Sequence, residues 1–84
     1  MTLEQFAKWL LEHDAVLHVQ AVPNRMAVRL ALCVNRNAVL GTFYMDEYIR
    51  VDLVAQDVTG VLFSTHIAEL TMRAEEKIRE ANKH

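Results

Sequence analysis

The alternation of apolar and polar positions changes period twice along the chain. Leu3, Phe6, Ala7, Leu10 and Leu11 recur at i, i+3, i+4, i+7 and i+8, the spacing of one face of an α-helix. Thr2 with Gln5 three residues on is a capping-box pattern, in which each side chain satisfies a backbone N–H at the helix start. A first helix is therefore expected to end near His13-Asp14, with that stripe in the core and Trp9 at its border.

Beyond this helix the period is two. In "AVLHVQAV", Leu17, Val19 and Ala21 alternate with His18 and Gln20. In "MAVRLALCV", Met26, Val28, Leu30, Leu32 and Val34 share one side, opposite Ala27, Arg29, Ala31 and Cys33. In "AVLGTFYM", Val39, Gly41, Phe43 and Met45 align; in "YIRVDLV", Ile49, Val51 and Leu53 do. Many of these residues are β-branched or aromatic, which suits a pleated surface. "PNR" and "NRN" punctuate the first three runs as turns. The helical period returns at the C-terminal end, where Phe63, Ile67, Leu70, Ala74, Ile78 and Ala81 form one stripe. Arg73, Glu76, Lys77, Glu80 and Lys83 take the other side. This helix is expected to start at about residue 60 or a little later, capped by Ser64, Thr65 or, if longer, Asp57.

The expected architecture is a single α+β domain over residues 1–84: helix, four-stranded antiparallel meander, helix. Both helices should pack on one apolar face of the sheet. A one-residue slip would turn every side chain over, so inward positions must meet inward positions. A turn at Asn24-Arg25 then sets Val19 opposite Leu30. A turn at Arg36-Asn37 sets Leu30 opposite Phe43, and a loop Asp46-Glu47-Tyr48 sets Phe43 opposite Val51. On the outer face these registers line up Gln20, Arg29, Tyr44 and Arg50, then His18, Ala31, Thr42 and Asp52, then Val16, Cys33, Leu40 and Val54. One end of that face would be rich in arginine and tyrosine, the other apolar.

Composition narrows the options. With 84 residues the chain can bury roughly 60% of its unfolded surface, enough for one core with little to spare. Nine Lys+Arg against eleven Asp+Glu give a net charge of −2, which supplies no field to hold phosphates. The order helix, strands, helix is shared with the double-stranded-RNA-binding fold. The start of the second helix, "FSTHIAEL", has no Lys or Arg to meet a backbone, so the likeness is one of order alone. One cysteine, Cys33, excludes an internal disulfide and multi-cysteine zinc sites. There is no basic, cleavable leader pattern and no apolar run of bilayer length, so a cytoplasmic protein is expected.

Candidate chemistry is sparse. His13 in "EHD" reads as a polar helix end, two strands separate His18 from Asp52 in the expected sheet, and His84 is terminal. His66 and Glu69, at i, i+3 on the last helix, could share a metal, but no second such pair accompanies them. Cys33 has apolar row neighbours and no base at hand to activate it, so it reads as a small packing residue. No phosphate-binding glycine loop or nucleophile elbow is present. The expected function is therefore not enzymatic and needs no cofactor or metal. It is a small protein–protein interaction module, an adaptor or inhibitor of the kind found among bacterial or phage accessory proteins, with a homodimer as its simplest assembly. Its contact residues are expected to be Arg29, Tyr44, Tyr48 and Arg50, with Gln20 and His18 beside them, because Tyr and Arg concentrate at interface hot spots. Two alternatives follow from the same residues: a nucleic-acid binder stacking bases on Tyr44, and a weak metal-dependent enzyme using His66 and Glu69.

Overall fold

A computed structural model describes residues 1–35 and 42–82, without the side chains of residues 35, 42–44 and 82. The elements are α1 (Leu3–Glu12), β1 (Ala15–Val22), β2 (Ala27–Asn35), β3 (Thr42–Arg50), α2 (Val51–Ala55) and α3 (Val61–Asn82). A 3-10 turn at Pro23–Arg25 joins β1 to β2, and Met26 closes it in the left-handed region. The sheet is antiparallel in the order β1-β2-β3. The class is α+β as expected, but no fourth strand occurs among the described residues. The expected turn at Arg36-Asn37 and the first half of the expected third strand lie outside those residues.

The first hairpin has the expected register: Leu17 faces Leu32, Val19 faces Leu30 and Ala21 faces Val28. The second is displaced by four residues, so that Val34 meets Phe43, Leu32 meets Met45 and Leu30 meets Glu47. Asp46-Glu47-Tyr48 is therefore the interior of β3, not a loop. That segment holds Asp46 but no Gly to follow it, the pairing that a tight hairpin turn favours. β3 ends at Arg50 because its partner ends there: Ala27, opposite Arg50, is the first residue of β2. Val51 N–H still finds the carbonyl of Met26 at 2.9 Å. Beyond it no ladder remains, and residues 51–55 satisfy their backbone in a single helical turn, α2.

The core lies on one face of the sheet. Leu30, Leu32 and Val34 of β2, Met45 and Ile49 of β3, Phe6 and Trp9 of α1, and Ile67, Leu70, Ala74 and Ile78 of α3 form one buried cluster. The two longer helices thus share one face, as expected from their amphipathic stripes. No described helix is long and apolar enough to cross a membrane.

Both helix starts are chemically defined. In α1, Gln5 N–H donates to Thr2 Oγ1 at 3.1 Å and Thr2 N–H donates to Gln5 Oε1 at 2.8 Å, the expected capping box. In α3, the Asp57 carboxylate accepts from Leu62 N–H and Phe63 N–H, both at 2.9 Å. Gly60, at φ +74, makes the reversal between them, so Asp57 rather than Ser64 or Thr65 caps the helix.

The orientation of α1 departs from its stripe. Phe6 and Trp9 are buried, whereas Leu3 and Leu11 are 81% and 84% exposed. An indole carries the larger apolar area, and its N–H needs an acceptor when buried. Trp9 Nε1 donates to Glu75 Oε1 of α3 at 3.0 Å, and the ring stacks on His13 with centroids 4.2 Å apart. Phe63, the first residue of the expected α3 stripe, is also on the surface.

Two substitutions distinguish this orientation from the one the stripe predicts. Leu70→Ala should lower the unfolding free energy by about 2–5 kcal/mol, because Leu70 is fully enclosed. Leu11→Ala should change it by no more than about 0.5 kcal/mol. Urea denaturation of both variants measures the difference, and a large loss at Leu11 would contradict the burial of Trp9.

Candidate functional site

The face of the sheet turned away from α1 and α3 carries Val16, His18, Gln20 and Val22 of β1, Ala27, Arg29, Ala31 and Cys33 of β2, and Asp46, Tyr48 and Arg50 of β3. Its central strand is small and buried at Ala27, Ala31 and Cys33, while Val16, His18, Gln20, Asp46 and Tyr48 on the flanking strands are exposed.

Four of the six expected contact residues are brought together. Gln20 lies opposite Arg29 on one side and Tyr48 lies opposite it on the other, so the polar row is Gln20, Arg29, Tyr48. His18 belongs to the next row, with Ala31 and Asp46. The four-residue displacement puts Tyr44 opposite Cys33, two rows from where the expected register placed it. Its side chain is outside the description. Arg50 stays on the same face but at the far end of β3, opposite Ala27, where it pairs with Asp52 at 2.7 Å. The expected Arg29–Tyr44–Arg50 row is thus replaced by Gln20–Arg29–Tyr48.

The charges of this face are largely matched within it. Arg29 Nη2 pairs with Asp46 Oδ1 at 2.8 Å, and Nη1 donates to Gln20 Oε1 at 2.9 Å. The Arg25 guanidinium stands 4.8 Å from the centre of the Tyr48 ring, a cation–π geometry. Sequence reading missed Arg25 and Asp46 as members of this group: one was assigned to a turn and the other to a loop. The turn does hold Arg25, but it folds the guanidinium back over β3. Cys33 is a buried free thiol on this face, consistent with a packing residue.

A second cluster sits on the opposite, helix-covered face. Glu47 points inward from β3, with 18% of its side chain exposed, toward His66, Glu69 and Arg73 of α3. Its Oε2 contacts His66 Nδ1, and its Oε1 lies 3.7 Å from Arg73 Nη1. His66, Glu69 and Arg73 at i, i+3 and i+7 share one side of the helix, which was visible in the sequence. Glu47 was not, because its partner is 19 residues away and its own position read as a loop.

The comparisons give no relative to reason from: no protein-family model, curated protein or solved structure matches the chain.

A double-mutant cycle on Arg29 and Asp46 should give a coupling of about 0.2–1 kcal/mol, the range of a partly exposed ion pair, and it should shrink in high salt. Chemical denaturation of Arg29→Ala, Asp46→Ala and the double variant measures it. A coupling indistinguishable from zero at low salt would show that the pair does not organise the face.

Proposed function

We propose that the chain is a protein–protein interaction module, an adaptor or inhibitor of a larger cytoplasmic protein, that works as a homodimer. One observation carries this reading: among the described residues the β1 edge of the sheet has no strand partner, and Val16, His18, Gln20 and Tyr48 on the outer face are exposed. β1 is an edge strand of eight residues, all paired with β2 in unbroken register on its other side. Its sequence, "AVLHVQAV", has no Lys, Arg, Asp, Glu or Pro. Such an edge has none of the devices by which proteins discourage strand pairing: no edge charge, proline or bulge. The opposite edge, β3, differs, with Asp46, Glu47 and Arg50. Val16 and Val19 of β1 are about half exposed, one on each face of the sheet, so a second strand beside them would also cover apolar surface.

Antiparallel pairing of β1 with β1 of a second copy obeys two-fold symmetry and would yield a continuous six-stranded sheet. Its outer face would present two Gln20–Arg29–Tyr48 groups, with His18 beside each, to a protein partner. Tyrosine and arginine at the middle of such a surface suit a contact hot spot. The nucleic-acid alternative is weaker on the same geometry. Arg29 and Arg50 are paired with carboxylates and Arg25 lies over Tyr48, so among the described residues of this face little unpaired cationic surface is left for phosphates. The start of α3 also lacks basic residues, the first being Arg73.

Sedimentation equilibrium should give a dimer for the wild-type chain and a monomer for Val19→Lys, whose ammonium would sit at the pairing edge. The variant's thermal midpoint, extrapolated to low concentration, should stay close to wild type. A wild-type monomer at all concentrations would refute the dimer. With the dimer established, Tyr48→Ala should abolish capture of a host protein that the wild-type chain retains, and undiminished capture would remove the outer face from consideration.

A further inference from the structure

Glu47 is out of place by the logic of its strand. Odd positions of β3 face the core, and its neighbours on that side, Met45 and Ile49, are buried and apolar. Directly across the sheet Glu47 faces Leu30, which has no exposed surface. A carboxylate held there loses much of its hydration, a cost that only close opposite charges or metal coordination offset.

The groups it meets are metal ligands. His66 and Glu69 stand one turn apart on the side of α3 that faces it, and one ligand atom from each of Glu47, His66 and Glu69 lies within 4.8 Å of the others. Ligand atoms about 2.0–2.2 Å from a zinc ion stand roughly 3.4 Å apart in a tetrahedron, so small side-chain rotations close this set around one ion. Two carboxylates converge on one imidazole, with Arg73 beside Glu47 to offset part of the repulsion. A divalent cation at their centre would neutralise both.

We propose that Glu47, His66 and Glu69 form a site for a divalent transition-metal ion of the zinc type, bridging β3 and α3. One imidazole with two carboxylates suits such an ion better than magnesium or calcium, which prefer all-oxygen sites. Three protein ligands leave a position open to water, and exposed Glu69 marks the side from which it enters. Arg73, held against the second oxygen of Glu47, fixes the carboxylate that the ion needs. The site is on the helix-covered face and so is independent of the surface proposed for partners.

The test is a titration of the chelator-treated full chain with Zn2+ by calorimetry and with Co2+ by visible absorption. One equivalent should bind. Co2+ should develop the intense bands of a low-coordinate site, and Zn2+ at a hundredfold excess over Kd should raise the thermal midpoint by roughly 11–22 °C. Glu69→Gln, at an exposed position that leaves the core intact, should weaken Zn2+ binding by more than about a hundredfold, beyond the loss usual for a supporting group. His18→Gln, on the other face, should leave binding unchanged. Absence of binding would overturn the proposal and leave Glu47, His66 and Glu69 as a polar contact between strand and helix. So would a Glu69→Gln variant that binds like wild type, or a His18→Gln variant that does not bind.

Discussion

The pleat of β2 is the constraint on which the rest of the molecule depends. Leu30, Leu32 and Val34 are completely enclosed, and the strand has a neighbour on each side. Burying each such side chain is worth roughly 1.5–3 kcal/mol, a large share of the stability of so small a domain. Every other element takes its orientation from which side of this strand it meets. α1 and α3 close over the Leu30–Leu32–Val34 side, and Arg29, Ala31 and Cys33 are left to the other. The two faces therefore have different chemistry: one a packed core with Glu47 at its margin, the other a polar row above a floor of small residues.

That division explains why the polar residues fall into two groups with different possibilities. On the outer face, Arg29 pairs with Asp46 and Gln20, and Arg25 lies over Tyr48, near water, where ion pairs are weak. On the inner face, Glu47 cannot be left to water and must be matched from α3, which His66 and Arg73 do. The first group is suited to contact, the second to holding something fixed between strand and helix.

The helices show how local pattern and tertiary demand divide the decision. The capping box at Thr2 and Gln5 formed as written, because it involves only neighbours. Which side of α1 turned inward did not follow the densest apolar stripe. Trp9 brought more area and found an acceptor in Glu75, 66 residues away, and Leu3 and Leu11 were left outside.

The two-residue period by itself determined which face of the sheet Met45, Ile49 and Arg50 take, although Val51 and Leu53, expected inward on a fourth strand, lie in α2 and are exposed. A displacement of four residues is even, so Met45 and Ile49 stayed inward and Arg50 stayed outward. For the same reason, periodicity could not detect the displacement. Register is set by the turn and by the length of the partner strand. The β1–β2 register was legible because its turn, "PNR", lies beside the strands it joins. The continuity of β3 through Asp46-Glu47-Tyr48, its end at Arg50 and the replacement of a fourth strand by α2 were decided by where β2 begins and by what α3 offers to Glu47. Those are contacts between residues far apart in the chain. An inward carboxylate reads as a break in a strand until the helix that neutralises it is in place.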